Sequence, residues 1–170
     1  MKAMAGYNNR AGYEREYRGL IRKVRLVIGL LVLLLIVCRF VFGVALIRDD
    51  GMSPGYKNGR PVIFLRLGSD AKRGDLVVLR LPDGSAAVRR VIAVAGDAVD
   101  IRDGIVTING YTERGSHSFT RTDARPGGPD YPLLLREGEL FVLGDAREIA
   151  VDSRSFGLVR TGELLGRVLA

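Results

Sequence analysis

Apolar residues fill one unbroken stretch near the N-terminus and afterwards break into short, punctuated runs. From Leu26 to Ile47 (LVIGLLVLLLIVCRFVFGVALI) 22 residues carry a single charge, Arg39. A helix of that length reaches about 33 Å at ~1.5 Å per residue, enough to cross a hydrocarbon core of ~30 Å. A core helix of a soluble domain rarely stays apolar on all faces for so long. A cleaved secretory signal has a shorter apolar stretch, about 7–15 residues, and a small-x-small cleavage site that is not clear here. The pattern therefore predicts a membrane-spanning helix over 26–47, with the lipid bilayer as its first partner. Arg39 stands about two-thirds of the way across that helix. It is expected to snorkel towards the outer headgroups, the alternative being contact with a partner helix.

Beyond residue 48 the period changes. Runs rich in Val and Ile appear at Val62–Leu67, Leu76–Leu81, Ala86–Val94, Ala98–Ile101, Ile105–Ile108 and Leu140–Leu143, each bounded by Gly, Asp, Asn or Pro. Asp103-Gly104 and Asn109-Gly110 are pairs that tolerate the positive φ of tight turns, so Asp97–Gly110 is expected to be a β-hairpin. No helical period competes. The fold expected is mostly β: a coiled, barrel-like antiparallel sheet behind one N-terminal transmembrane helix. Residues 112–130 are polar, contain Gly and Pro, and hold Phe119 as their one apolar anchor. They are read as an exposed loop or insertion, and His117 within them as a solvated surface residue.

Charge decides between a membrane and a nucleic-acid reading. The net charge is +7, but residues 1–47 hold eight Lys/Arg against two Glu, and the rest hold eighteen Lys/Arg against seventeen Asp/Glu. The excess sits beside the apolar segment, in Arg10, Arg15, Arg18, Arg22, Lys23 and Arg25. That is a membrane-orienting flank and not a nucleic-acid surface. The positive-inside rule puts residues 1–25 in the cytoplasm as a basic tail, 26–47 in the cell membrane and 48–170 outside. Cys38, the sole cysteine, lies in the apolar segment, so no intrachain disulfide is expected. With one Cys and one His far apart, no metal site and no cofactor are expected.

Three stretches of the outer domain carry a resemblance. The first is Gly51-Met52-Ser53-Pro54. The second is Lys72–Val78 (KRGDLVV) followed by Val88–Asp97 (VRRVIAVAGD). The third is Gly144–Arg147 (GDAR) with Asp152–Gly157 (DSRSFG). In that order behind a single span, they resemble the signature boxes of type I signal peptidases: Ser-Met-x-Pro, then Gly-Asp-hydrophobic with Val-Lys-Arg-Val-Ile-Gly-x-Pro-Gly-Asp, then Gly-Asp-Asn-Arg with Asp-Ser-Arg-x-x-Gly. The resemblance covers the span and almost all of residues 48–170.

The resemblance implies a serine/lysine dyad that cleaves signal peptides from exported proteins. The serine attacks the scissile carbonyl, and a lysine kept neutral by burial accepts its proton. Here the nucleophile position is Gly51 and the base position is Arg89, a group that stays protonated. The serine that would bond the lysine falls on Ala150. The serine that would serve the oxyanion falls on Asp49, whose carboxylate would repel the developing charge. The bracing positions are retained in Asp145, Arg147, Asp152, Ser153, Arg154 and Gly157. An ion pair from Arg89 to Asp49 or Asp50 across the former site is allowed.

The function expected is therefore a non-catalytic, membrane-anchored signal-peptidase-like protein. It would bind signal peptides or extended segments of exported proteins by β-addition, as an assembly factor or chaperone. Dyad-defective relatives in Gram-positive bacteria extend the expected partners to pilin subunits and a sortase. Two alternatives stand beside it. One is an active signal peptidase using Ser53 with Lys57 or Lys72; the other is a tethered β-domain that binds no peptide.

Overall fold

The apolar run that begins at Leu26 divides at Val41. A computed structural model describes residues 2–66, 71–113 and 120–169, with side chains from residue 13 onward except that of Arg15. Helix α1 spans Lys2–Val41, and the residues after it form strand β1, Phe42–Leu46. The expected span over 26–47 is thus corrected at its C-terminal end. Phe42–Leu46 alternates exposed and buried positions, but its outward residues Phe42, Val44 and Leu46 are themselves apolar. A strand with apolar residues on both faces cannot be told from helix by its hydrophobic pattern. Gly43 is needed there, because a Cβ would come within 2.2 Å of the Phe64 ring.

The segment of α1 long and apolar enough to cross a membrane is Glu16–Val41, 26 residues with no burial. It fits a single-pass anchor. Arg39 then falls in the last helical turn, where a cation meets the helix carbonyl end and has a short path to headgroups.

The second compact unit, from Val41 onward, is mostly β. Its strands are β2 (Pro61–Leu65), β3 (Leu76–Arg80), β4 (Ala86–Ala93), β5 (Ala98–Arg102), β6 (Ile105–Ile108), β7 (Tyr111–Thr112), β8 (Leu133–Leu134), β9 (Glu139–Leu143), β10 (Val159–Arg160) and β11 (Gly166–Val168). One turn of helix, α2 (Ser153–Phe156), and a 3-10 turn at Thr161–Glu163 complete it. A seven-stranded sheet runs β1-β2-β11-β3-β4-β9-β10, and a four-stranded sheet runs β7-β6-β5-β8. The β5–β6 hairpin turns on Asp103 (φ 53°) and Gly104 (φ 80°), which is the turn chemistry expected of that pair.

Three clusters form the core, centred on Val77, Leu79 and Val142; on Ile92, Val99 and Phe141; and on Ile47, Met52, Phe64 and Val88. A bulge between Val91 and Ala93 shifts the β4–β9 register just beyond Arg89 and Arg90. Such a bulge re-aims neighbouring side chains.

Most described residues of 112–130 are exposed, yet part of the segment is tied to the core. Thr122 is 2% exposed, and the Glu113 carboxylate pairs with the buried Arg147. Gly128 packs so closely that a Cβ would meet the Arg154 carbonyl oxygen at 2.0 Å. Buried partners, absent from a local reading, hold these flanks down. His117 lies outside the described residues.

Candidate functional site

Strand β4 carries Arg89 and Arg90 in succession, so their side chains leave opposite faces of the sheet. Arg89 is fully buried, a place where a cation survives only if it is paired. Its Nη2 donates to Asp49 Oδ2 at 2.5 Å, its Nε to the Val151 carbonyl at 2.9 Å and its Nη1 to the Val88 carbonyl at 2.5 Å. Asp49 Oδ2 also accepts the Gly51 N–H at 3.1 Å. The other carboxylate oxygen, Asp49 Oδ1, is buried with no hydrogen-bond partner among the described residues.

Gly51 completes the arrangement by what it lacks. A Cβ there would lie 2.6 Å from Asp49 Oδ2 and 3.0 Å from Arg89 Cζ and Nη1. A side chain at 51 would project straight at the guanidinium, and glycine leaves that volume to the ion pair. Of the two carboxylates weighed for the pair, Asp49 makes it. Asp50 is exposed and accepts the Asn58 N–H at 3.0 Å.

The wall behind Gly51 is tight. Its carbonyl accepts the Ala146 N–H at 3.0 Å. A Cβ on Gly144 would meet the Gly51 oxygen at 2.4 Å and Ala150 Cβ at 2.3 Å. Ala150 is buried and presents only a methyl group.

Ser53 is half-buried, and Lys57 and Lys72 are exposed. Among the described residues no hydrogen bond joins Ser53 to either lysine.

The bracing residues meet in one network. Asp152 Oδ2 accepts the Gly144 N–H at 3.1 Å, and Asp152 caps α2 through the Arg154 N–H at 3.1 Å. Ser153 Oγ accepts the Val142 N–H at 2.9 Å, tying α2 to β9. Arg154 Nη2 donates to the Arg147 carbonyl at 2.6 Å. Arg147 in turn donates to Glu113 at 2.9 and 3.0 Å and to Thr122 Oγ1 at 3.2 Å. Asp145 takes a two-pronged bond from Arg90 Nε and Nη2, at 2.9 and 2.7 Å. That bond holds the Arg90 guanidinium even more firmly protonated than usual, against the opposing effect of burial.

Three partners escape sequence reasoning. Glu113 and Thr122 fall in a stretch without pattern, and Arg90 serves Asp145 from another strand. The available signal is general: an arginine in a buried box needs a carboxylate somewhere.

The family model described as signal peptidase, peptidase S26, matches residues 20–170. Signal peptidase IB of Staphylococcus aureus is 28% identical over 155 residues, covering 81% of each chain. Signal peptidase I P of Bacillus subtilis subsp. natto is 25% identical over 164 residues, covering 90% of this chain and 89% of that one. The crystal structure of a signal peptidase I from Enterococcus faecalis V583 matches with a TM-score of 0.46 at 28% identity, over 58% of this chain and 96% of that chain. The anchor helix from residue 20 onward, the β-domain and the Gly51–Arg89 site lie within the stretch matched by the family model, and the chain belongs to the signal peptidase family, peptidase S26.

Proposed function

We propose that this protein is a membrane-anchored signal-peptidase-like protein without peptidase activity, which holds signal peptides or other extended segments of exported polypeptides at the outer face of the cell membrane. The observation that carries this reading is the Arg89–Asp49 pair, 2.5 Å apart, in the volume that a side chain at Gly51 would enter. A nucleophile is missing, and the group beside its position is a permanent cation that cannot take a proton. Asp49 puts negative charge where an acyl-transfer oxyanion would need donors. The framework around the pair is held by the Asp152–Arg154, Arg147–Glu113 and Arg90–Asp145 ion pairs, which suits a domain retained for binding. The basic flank of the anchor supports a cytoplasmic N-terminus and an outer β-domain. Pilin subunits handled beside a sortase are one client class consistent with this role.

The test is a signal peptide presented to the detergent-solubilised full chain, with binding followed by fluorescence anisotropy and cleavage by mass spectrometry. Binding without cleavage is expected. Cleavage that Ser53→Ala abolishes would overturn the proposal in favour of an active peptidase built on Ser53.

A further inference from the structure

We infer that the Arg89 guanidinium and the Gly51 N–H form a receptor for the C-terminal carboxylate of a peptide, such as a severed signal peptide presents, and that Asp49 occupies it as a tethered stand-in; this rests on the non-catalytic reading above. Arg89 is a wholly buried cation whose Nη2 meets a carboxylate oxygen at 2.5 Å, and the same oxygen accepts the Gly51 N–H at 3.1 Å. A charged donor and a backbone donor converging on one oxygen are what carboxylate recognition requires.

The occupant fits poorly. Asp49 Oδ1 is buried without a partner among the described residues, so this carboxylate is only half satisfied. Its side chain is 21% exposed, which gives it a way out into water while Arg89 at 0% has none. Swinging out relieves the orphaned oxygen and opens the two donors to an incoming carboxylate. Gly51 keeps the space clear, since a Cβ there would stand 2.6 Å from the bound oxygen. The exposed apolar side chains of Ile149 (63%) and Val151 (44%) flank Ala150 beside the site and offer contact to the peptide that carries the carboxylate. A purely structural ion pair needs neither the half-satisfied acid nor the exit.

The test uses Asp49→Ala in the detergent-solubilised full chain, with sodium acetate, sodium chloride, and an apolar peptide ending in either a free carboxylate or an amide. Asp49→Ala should lower Tm, and acetate should restore it where chloride at equal ionic strength does not. The acid peptide should bind Asp49→Ala about tenfold more tightly than the amide, with the natural protein keeping the same preference at weaker affinity. Should Asp49→Ala fail to fold, Asp49→Asn, which keeps an oxygen for the Gly51 N–H, carries the same comparison of peptides. Equal binding of acid and amide, or equal responses to acetate and chloride, overturns the carboxylate receptor while leaving a peptide-binding domain. Failure of both peptides to bind any form removes the proposed function as well.

Discussion

Arg154 grips Asp152 with two hydrogen bonds, Nε to Oδ1 at 2.9 Å and Nη2 to Oδ2 at 2.8 Å, and neither side chain is more than 2% exposed. The same carboxylate accepts the Gly144 N–H, and Gly144 lies against the Gly51 carbonyl. The pair therefore fixes the wall on which the site is built. Removing either partner leaves a buried charge unmatched, so Asp152→Ala or Arg154→Ala should each cost about 3–5 kcal/mol. Replacing both should cost clearly less than the sum, because the second substitution removes the orphan left by the first. Urea unfolding of the four proteins checks this, and strict additivity would show that the two groups do not act as a pair.

Restoring the two side chains alone should restore only weak chemistry. Gly51→Ser places its Cβ 2.6 Å from Asp49 Oδ2 unless Asp49 moves. Arg89→Lys beside that carboxylate gives an ammonium whose neighbour favours the charged form, the opposite of what a general base needs. The double variant should cleave a signal peptide weakly, and adding Asp49→Ser should raise the rate by about tenfold or more. Equal rates for the double and triple variants, followed by mass spectrometry, would show that Asp49 does not control the site.

The fold was legible where local chemistry decides it. Asp103-Gly104 needs positive φ at both residues and obtains it, so two residues sufficed to place the β5–β6 hairpin. Arg89, Asp49 and Gly51 stood out because the resemblance puts them at positions whose expected roles their residue types do not fill. Strand β1 was hidden because Phe42, Val44 and Leu46 are apolar on the outward face, which erased the alternation that distinguishes a strand from the end of a span. The partners of Arg147 were hidden for another reason. Glu113 and Thr122 lie 34 and 25 residues away along the chain, and no periodicity links residues that meet only through tertiary packing.

Asp97 should make the β-domain acid-sensitive. Burial pushes its carboxyl up, but Arg73, the Val94 N–H and Asn109 outweigh burial and hold it below the ordinary 3.8. The bonds are Arg73 Nε to Oδ2 at 2.7 Å, a second bond from Arg73 Nη2 to Oδ1, Val94 N–H to Oδ2 at 2.9 Å, and Asn109 Nδ2 to Oδ1 at 3.1 Å. With a folded pKa below the unfolded one, the unfolded chain takes up the proton first as pH falls. The stabilisation is complete at neutral pH and is lost from about pH 4 downward. Asp97→Asn should lower Tm at neutral pH and lose less of it on acidification. Thermal unfolding from about pH 7 to about pH 3 reads both slopes, and parallel curves would remove Asp97 from the account.

Tyr131 should tolerate, and gain from, the loss of its hydroxyl. Its ring stands edge-on to Phe141, with centroids 6.3 Å apart and planes at 80°, and that contact needs no oxygen. The hydroxyl itself is buried with no hydrogen-bond partner among the described residues. Tyr131→Phe keeps the ring contact, removes the unpaired group and should raise the unfolding free energy by about 1 kcal/mol. The alkaline limb adds a second readout. Burial first, and then the Asp152 charge, push the phenol from 10.0 up to about 12, with Arg154 opposing. Because the folded state keeps the proton longer, the natural protein should lose stability as pH rises from about 10 to about 12. Tyr131→Phe lacks that loss, so its advantage in denaturant unfolding should widen across the window. A variant less stable than the natural protein at neutral pH would mean that the hydroxyl is engaged in the native state.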